Sequence, residues 1–410
     1  MTTRPPDDAR YLARDTVDCL PEGALASKLG LGRPLRVKLG LDPTAPDVHL
    51  GHTVVLRKLR EFQDRGHVVV LIIGDFTARV GDPSGRSSTR PQLSGEEIDA
   101  NARTYVEQAA KVLDLGRIEL RHNSEWLDMP MEKLFALTRT TTVAQLLERD
   151  DFAKRYAARE PISITELLYP LMQAYDSVAV RSDVELGGTD QKFNLLLGRD
   201  VQRAYGIPEQ VALTMPILAG LDGARKMSKS LGNHIGVTDA PAEMYGKTLS
   251  LPDTAMASWY ELLLGAPASA GMSARDAKHA LARQLVERLH SAAAAEAAAT
   301  HFERVVVNGQ PCVVKHVHLD DDFTMRVSGD LGCRPLRVWE AGMMDVAADV
   351  VDHAVLAAAR NDGRNGWGAA LLMRDATSEL VPVGDDPLPE SQHLGFLDHL
   401  AVMSARCAIS

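Results

Sequence analysis

The chain has 410 residues, of which 45% are hydrophobic, and its formal net charge at pH 7 is −10. This length predicts roughly two or three domains with buried cores, and the acidic balance is not typical of a nucleic-acid-binding protein. The absence of an apolar run of about eighteen residues excludes a predicted transmembrane helix. The first ten residues, MTTRPPDDAR, lack the apolar segment of a secretory signal, so we expect a cytoplasmic protein. Four scattered cysteines without a C-x-x-C pair argue against a disulfide framework and a thiolate zinc site: Cys19, Cys312, Cys333 and Cys407.

The earliest predicted elements form a strand–helix–strand unit. The run LRVKLGL at 35–41 is strand-like, and the apolar residues of 52–67 recur at helical spacing until Gly66. The continuous apolar and β-branched run VVVLIIGD at 68–75 is typical of a strand buried in a parallel sheet. These three elements in succession predict a βαβ unit.

The alternation of strands and helices continues further along the chain. SVAVRSDVELGGTD at 177–190 and QVALTMPILAG at 210–220 are strand-like, and KFNLLLGRDVQRAYG at 192–206 has helical spacing. We therefore predict an α/β fold, with a doubly wound, Rossmann-like parallel sheet, for a domain over 1–220. The helical and polar residues near 120–160 are predicted to be an insertion between the two halves of that sheet.

The pattern becomes purely helical from about 240 to 305, within a predicted second domain over 221–308. Ser273 and Asp276 resemble a capping box, and an apolar stripe follows at every fourth residue: Ala277, Leu281, Leu285 and Leu289. Residues 309–410 change to short β-like runs, glycine turns and acidic residues, which predicts a small α+β domain. From residue 311 onwards this part carries eight Lys+Arg against fifteen Asp+Glu.

The stretch LDPTAPDVHLGH at 41–52 joins the first predicted strand to the first predicted helix. Ligands of open α/β sheets bind at the carboxyl ends of strands, and a helix N-terminus offers free N–H groups to phosphate. Gly51 permits close approach of a ligand, and His49 and His52 can donate hydrogen bonds to phosphate oxygens. The alternative interpretation is a pair of surface-loop histidines.

A second candidate motif, RKMSKS at 225–230, follows the last predicted strand of the sheet. Lys226 and Lys229 are three residues apart and can bind a polyphosphate together; the alternative is a solvated loop. A third stretch, KHVHLDDD, contains His316 and His318, which alternate as on a strand. We interpret it as a strand and predict no metal site.

The H-L-G-H and K-M-S-K-S motifs together, in this order and context, resemble the two signatures of class I aminoacyl-tRNA synthetases. Between them, GDFTARVGDPSGRSSTR at 74–90, YPLMQAYD at 169–176 and ELGGTDQKFN at 185–194 are similar to bacterial tyrosyl-tRNA synthetases. The resemblance runs from about residue 10 to 305. It implies a catalytic domain followed by a helical, anticodon-binding-like domain. It also implies ATP and tyrosine as substrates, Mg²⁺ with ATP, tRNA(Tyr) as acceptor, and a homodimer.

The resemblance assigns a set of residues to tyrosine binding. Asp176 would accept a hydrogen bond from the tyrosine hydroxyl, and Tyr169, Gln173 and Asp82 would bind the ammonium group. The spacing of the three residues from 169 to 176 places them on one helix face, which is consistent with a shared ligand. The remaining assigned residues are Thr77, Gln191 and Lys38, the last of which would line the pocket where other members have a tyrosine.

The same resemblance assigns the residues that handle ATP. Thr44, His49 and His52 would act on the phosphates, while Lys226 and Lys229 would close over the pyrophosphate. Asp190, next to a Gly-Gly pair, would bind the ribose, and Mg²⁺ would be held mainly by the phosphates. The other predicted ATP-binding residues are Gly40, Asp42, Gly51, Arg86, Arg90, Gly188, Met227 and Ser228; for the two arginines a surface position is an equal alternative.

Residues 311–410 depart from the family pattern. They contain no recognisable S4-type RNA-binding run, and their net charge of −7 would repel tRNA phosphates. Two alternatives to a tyrosine–tRNA ligase therefore stay open. One is a tyrosine-activating enzyme that delivers to a non-tRNA acceptor in biosynthesis. The other is a non-catalytic regulator that binds tyrosine or nucleotide, although the complete set of phosphate and pocket residues argues against it.

Overall fold

The structure of the protein is a computed structural model. It describes residues 5–43, 47–82, 94–269 and 271–300, together with four later strands that lie between residues 302 and 374. The described residues fall into two compact units. The first lies within Met1–Thr238 and Pro252–Ala268, and the second within Asp239–Leu251 and Ser269–Ser410.

The first unit is built on a six-stranded sheet. Its strands are β1 (Asp18–Leu20), β2 (Arg36–Leu41), β3 (Val68–Ile73), β4 (Ile118–His122), β5 (Val184–Gly188) and β6 (Val211–Met215). Their order is β1-β6-β5-β2-β3-β4. All neighbours pair in parallel except β1, which is antiparallel to β6. The apolar run VVVLII of β3 is buried in this sheet, as the sequence predicts.

The sheet has a topological switch point between β2 and β5. From β2 the chain proceeds to β3 and β4 on one side, whereas β5 and then β6 are added on the other side. Right-handed crossovers in opposite directions place the connecting helices on opposite faces, so the fold is the predicted doubly wound α/β type. A crevice opens where Leu41 and Gly188 end the two central strands.

Helices connect and cover these strands. In the first unit they are α1 (Pro5–Leu12), α2 (Ala24–Leu29), α3 (Leu50–Asp64), α4 (Thr77–Val80), α5 (Gly95–Ala109), α6 (Ser124–Leu127), α7 (Met131–Thr138), α8 (Val143–Leu146), α9 (Asp150–Ala157), α10 (Ile164–Ala179), α11 (Lys192–Ala204) and α13 (Asp253–Trp259). Short 3₁₀ turns occupy Leu115–Arg117, Thr189–Gln191 and Lys229–Leu231, and a π-helical turn occupies Tyr260–Leu264.

Local sequence determines where the helices that carry site residues begin and end. Ser163 and Glu166 form a reciprocal capping box at the start of α10, which fixes the helix that carries three predicted tyrosine-binding residues. Gly66, with a positive φ of 79°, follows α3 as its predicted end.

One element prediction is wrong, and another is inexact at its beginning. Residues 177–179 belong to the last turn of α10 rather than to a strand, and Val180 is the C-cap residue of that helix; the chain leaves the helical direction at Arg181, where φ is 50°. The predicted insertion near 120–160 is helical through α6 to α9, but its beginning lies in β4. That edge strand is only half-buried, so its residues IELRH lack the apolar run that identified β3.

The second unit combines helices with an antiparallel sheet. The helices α12 (Pro241–Leu249), α14 (Ala274–Leu289) and α15 (Ala292–Thr300) pack on one another. The Ser273 side chain accepts a hydrogen bond from the Asp276 N–H at the start of α14, as predicted. The sheet has the order β7-β8-β10-β9, from β7 (Phe302–Val307), β8 (Gln310–His318), β9 (Val355–Asn361) and β10 (Gly368–Arg374).

His316 and His318 lie on β8, opposite Ala370 and Gly368 of β10, so the described residues 315–318 of the stretch KHVHLDDD belong to a strand, as predicted. Within the described ranges, no helix combines the length and apolarity needed to cross a membrane.

Candidate active site

A cleft of about 830 Å³ opens at the carboxyl ends of β2 and β5. Most predicted site residues line it: Gly40, Asp42, His49, Gly51, His52, Thr77, Asp82, Tyr169, Gln173, Asp176, Gly188, Asp190, Gln191, Lys226, Met227, Ser228 and Lys229. Thr44, Arg86 and Arg90 lie outside the described residues. The fold therefore brings together two motifs that are far apart in sequence, as the topological switch point requires.

Two histidines form one end of the cleft, at the N-terminus of α3. His49 is the N-cap residue, and its backbone N–H donates to His52 Nδ1 at 3.2 Å; the ring centroids are 3.9 Å apart. Burial and neighbouring positive groups lower the pKa of His49 to about 2, and burial with Lys226 lowers the pKa of His52 to about 4. Both imidazoles are therefore neutral at pH 7 and act as hydrogen-bond donors rather than as cations.

Gly51 leaves the histidine end open to a ligand. A Cβ atom at this position would lie 3.0 Å from the His49 ring and 3.6 Å from Met227 Cβ. Buried His49 Nδ1 has no hydrogen-bond partner within the part of the chain that the structure describes. A buried polar atom without a partner at the start of a helix is suited to a polar ligand such as phosphate.

The lysines of the second motif are paired with carboxylates across the cleft. Lys226 Nζ lies 3.3 Å from Asp190 Oδ2, and Lys229 pairs with Asp47. Because these groups are exposed by 31–45%, such pairs contribute only about 0–1 kcal/mol and can exchange for phosphate oxygens.

Asn233, which sequence reasoning missed, anchors the lysine-bearing segment. Its Oδ1 accepts from the Ser228 N–H at 2.8 Å, while its Nδ2 donates to Asp222 at 2.9 Å and to the Lys226 carbonyl at 3.2 Å. Asn233 is buried, so these bonds fix the path of the backbone around the two lysines.

Asp176 forms a buried acceptor at another part of the cleft. Its side chain is 3% exposed; Trp126 Nε1 donates to Oδ1 at 2.8 Å, and Asn123 Nδ2 lies 3.5 Å from Oδ2. Burial raises the pKa of Asp176 to about 7, against the opposing effects of Lys38 and of these two donors. Trp126 and Asn123 were missed because they follow β4, which the sequence pattern does not reveal.

Asp42 accepts hydrogen bonds from two residues that are predicted to bind tyrosine. Tyr169 donates its hydroxyl proton to Asp42 Oδ2 at 2.8 Å, and Thr77 Oγ1 donates to Oδ1 at 2.7 Å. Burial and nearby carboxylates raise the pKa of Tyr169 well above its ordinary value, so the phenol stays protonated. Asp42, which the resemblance assigns to ATP, therefore also orients a predicted tyrosine-binding residue.

Lys38 does not line the cleft, contrary to the sequence-based expectation. It is fully buried, pairs with Glu185 at 2.9 Å, and donates to the Gln173 carbonyl at 3.0 Å and to Ser177 Oγ at 2.7 Å. The side chain lies behind α10, where its ammonium pairs with the buried carboxylate of Glu185. Lys38 therefore acts on the cleft indirectly, through its bond to the Gln173 carbonyl and through its charge, which opposes the rise in the pKa of Asp176.

The chain is similar to a known protein family and to named proteins. Residues 31–306 match the family described as tRNA synthetases class I (W and Y). A protein of Moorella thermoacetica named tyrosine–tRNA ligase is 55% identical over 312 residues, which cover 72% of this chain and 76% of its own length. The tyrosine–tRNA ligase of Ralstonia nicotianae is 52% identical over 309 residues, covering 73% of this chain and 79% of that protein.

Solved structures resemble this fold as well. Tyrosyl-tRNA synthetase from Archaeoglobus fulgidus, complexed with L-tyrosine, aligns with a TM-score of 0.59 at 23% identity and covers 72% of this chain and 100% of that one. The tyrosyl-tRNA synthetase from Aeropyrum pernix aligns with the same TM-score at 21% identity, covering 73% and 98%. At these identities the likeness establishes the fold.

Proposed function

Because the chain belongs to the class I tRNA synthetases of the tryptophan and tyrosine family, we propose that it is a tyrosine–tRNA ligase. It activates tyrosine with ATP to tyrosyl-adenylate and pyrophosphate, and then transfers the tyrosyl group to tRNA(Tyr). Relatives that carry this name are more than 50% identical over about 72% of the chain. The observation that carries the proposal is a single cleft with a buried carboxylate, Asp176, and the two phosphate-type motifs.

Asp176 selects tyrosine by its hydroxyl group. When phenylalanine occupies the site, the buried carboxylate of Asp176 receives no hydrogen bond from the substrate. Leaving a buried acceptor without a partner costs about 1–3 kcal/mol, and more if the acceptor is charged. A site built to bond a substrate hydroxyl can reject the analogue without it by about 10⁴–10⁵-fold. Tyr169, Gln173 and Asp82 bind the ammonium group, with Thr77 and Gln191 as further contacts, and Lys38 acts behind them.

Activation needs positioning rather than a covalent intermediate. The carboxylate of tyrosine attacks the α-phosphorus of ATP in line, the bond to the bridging oxygen breaks, and pyrophosphate leaves with the electron pair. His49 and His52 donate hydrogen bonds to phosphate oxygens, and Lys226 and Lys229 leave their carboxylate partners for the pyrophosphate. Catalysis then consists of orientation and of stabilisation of growing phosphate charge.

Other residues complete the nucleotide site in this proposal. Asp190 accepts from the ATP ribose, and Gly40, Gly51 and Gly188 let the nucleotide approach the backbone. A Cβ atom at Gly188 would lie 2.7 Å from Asp190 Oδ1, which explains the glycine there. The remaining proposed contacts are Asp42, Met227, Ser228, Thr44, Arg86 and Arg90.

We propose that Mg²⁺ enters with ATP and is held mainly by phosphate oxygens. The described ranges contain no group of three or more His, Cys, Asp or Glu side chains arranged to hold a metal. Mg²⁺ in nucleotide sites usually keeps its phosphate and water ligands, so the proposal does not require such a group.

We propose a cytoplasmic homodimer in which the helical region α7 to α10 forms the interface. Large apolar side chains there are exposed by 54–78%: Met131, Phe135, Val143, Tyr156 and Ile164. Such a concentration on neighbouring helices marks a surface for a protein partner. Sedimentation should give a dimer, and Ile164→Glu should give a monomer. The control Val17→Glu, at an exposed apolar residue elsewhere, should leave the dimer intact; a wild-type monomer would contradict this part of the proposal.

The domain organisation is part of the same proposal. The lysine motif of the predicted second domain lies in the first compact unit, so we assign that unit to catalysis and the helices α12, α14 and α15 to tRNA binding. The predicted boundary between 308 and 309 falls inside the sheet in which β7 pairs with β8, so the last part of the chain belongs to the second unit. The negative charge of residues 311–410 favours tRNA contacts elsewhere.

The proposal is tested by amino-acid-dependent exchange of pyrophosphate into ATP. We expect tyrosine to support exchange, and phenylalanine and tryptophan to support it at least about a thousandfold less well. A reaction without amino acid serves as the blank. Exchange that prefers tryptophan, or no exchange with any of the three, would refute the assignment of tyrosine.

A further inference from the structure

Three side-chain amides meet beside the cleft, at the part proposed to bind the ammonium group. Asn194 Nδ2 donates to Gln173 Oε1 at 2.8 Å and to Gln191 Oε1 at 3.0 Å. Gln173 and Gln191 line the cleft, whereas Asn194 is 1% exposed and lies behind them. Two carbonyl oxygens are thus held close together by one buried nitrogen.

A charged group fixes the orientation of each amide. Arg149 donates to Asn194 Oδ1 at 3.2 Å, Asp82 Oδ2 accepts from Gln191 Nε2 at 2.9 Å, and Glu185 Oε1 accepts from Gln173 Nε2 at 3.2 Å. A guanidinium can only donate and an ionised carboxylate can only accept. Exchanging the oxygen and nitrogen of any of these amides would therefore set donor against donor or acceptor against acceptor.

The charged groups that orient the amides have partners of opposite charge. Arg149, which is 5% exposed, pairs through Nε with Asp151 at 2.9 Å and reaches Asp82 at 3.4 Å. Glu185, which is 1% exposed, pairs with Lys38 at 2.9 Å. Buried and partnered charges of this kind have fixed positions, so they set the orientation of the amides before any ligand binds.

We propose that Asn194, oriented by Arg149, is a positioning residue for recognition of the substrate's ammonium group. This inference rests on the proposed function. Each carbonyl oxygen has two lone pairs; on Gln173, Asn194 occupies one of them and the other faces the ammonium. Without Asn194, two adjacent oxygens would lose the donor that holds them together, and the side chains would turn away from the ligand.

The test compares tyrosine with 3-(4-hydroxyphenyl)propionate, which has the same phenol and carboxylate but no ammonium group. We expect Asn194→Leu to weaken tyrosine binding about tenfold, as measured by calorimetry, and to leave binding of the propionate within about twofold. The preference for tyrosine over the propionate should therefore be about tenfold lower in Asn194→Leu than in the wild type. Equal losses for the two ligands, or no loss for either, would overturn the inference.

The matched control is Gln202→Leu on the same helix. Gln202 is fully buried and bonds to Ser182 and Gln210 away from the cleft, so this variant removes an equally buried amide. It should reduce stability without changing the preference for tyrosine over the propionate. A similar fall in preference for Gln202→Leu would show a general packing effect and contradict the assigned role.

Two further variants keep the test decisive if Asn194→Leu does not fold. Asn194→Ala retains a good helix former, and Arg149→Met removes the group that orients Asn194; both should lower the preference in the same direction. In exchange assays the KM for tyrosine should rise while kcat and the KM for ATP stay within about twofold. Tyrosine-dependent exchange by the wild type tests the proposed function separately, because it does not depend on Asn194's role.

Discussion

Replacing Asp176 by Asn is the perturbation that probes amino-acid selection most sharply. The carboxylate accepts from Trp126 Nε1 at 2.8 Å and faces Asn123 Nδ2 at 3.5 Å. In either orientation an Asn amide places its NH₂ group against one of these two donors. The substrate hydroxyl then also loses a charged acceptor, although the shape of the pocket is nearly unchanged.

The size of the effect follows from the burial of the group. A hydrogen bond to a charged partner contributes about 1.5–3 kcal/mol, which corresponds to roughly 10–100-fold in kcat/KM for tyrosine. Phenylalanine makes no hydrogen bond with the carboxylate of the wild type, so it loses none in Asp176→Asn. In this variant, bound phenylalanine also leaves no buried charge without a partner. We therefore expect the preference for tyrosine over phenylalanine to fall by at least about 100-fold.

Pyrophosphate exchange with each amino acid at saturating ATP measures both values of kcat/KM. Asp183→Asn is the matched control, because Asp183 is also buried but pairs with Arg33 away from the cleft. It should lower stability and leave the preference unchanged. An equal decrease for tyrosine and phenylalanine in Asp176→Asn would refute hydroxyl recognition by this carboxylate.

Three further predictions follow from the same contacts. Burial raises the pKa of Asp176 to about 7, so its carboxylate forms as the pH rises through that value. We expect kcat/KM for tyrosine to decrease as the pH is lowered through about 7. A pH profile of Asp176→Asn should lack this decrease. Lys226→Ala with Lys229→Ala should reduce exchange by at least about a thousandfold while tyrosine binding, measured by calorimetry, stays within about threefold; unimpaired exchange would remove both lysines from the mechanism. Lys38→Met leaves Glu185 buried without its cation and should cost about 3–5 kcal/mol of unfolding free energy in a denaturant titration, whereas a loss below about 1 kcal/mol would show that the pair is not needed.

The central part of the sheet could be predicted from the sequence because its strands are buried on both faces. β3 reads as a continuous apolar run. β5 ends at Gly188, while Asp42 follows β2 and Pro216 follows β6, and these residues mark the limits of the strands. β1 and β4 lie at the two edges of the sheet. Each of these edge strands has only one neighbouring strand and is only partly buried. Their residues therefore show no clear alternation of apolar and polar side chains, and the local sequence pattern could not identify them.

The site was predictable where function requires a particular residue type at a fixed spacing. His49 and His52 in one motif and Lys226 and Lys229 in the other lie in the same cleft, as predicted. Their partners were not predictable. Asp47, which pairs with Lys229, lies in the stretch 41–52 but received no predicted role, because its partner is 182 residues away in sequence.

Buried polar partners are the second class that the sequence could not reveal. Arg149 and Asn194 contact each other across 45 residues. Asn194 ends the stretch ELGGTDQKFN, but nothing in the local sequence of either residue indicates that the two are buried partners. Lys38 illustrates the reverse error. Its place in the motif suggested a pocket residue, but a single charged side chain on a central strand is directed by the nearest buried carboxylate, here Glu185.

The most direct test of the account is transfer of labelled tyrosine to tRNA by the purified protein with ATP and Mg²⁺. Total tRNA from the source cell is the acceptor, and tyrosine-dependent pyrophosphate exchange in the same preparation establishes that the enzyme is active. We predict that tyrosine accumulates on tRNA and that phenylalanine and tryptophan do not. Rapid exchange without transfer to tRNA would contradict the account, because the adenylate would then serve a different acceptor.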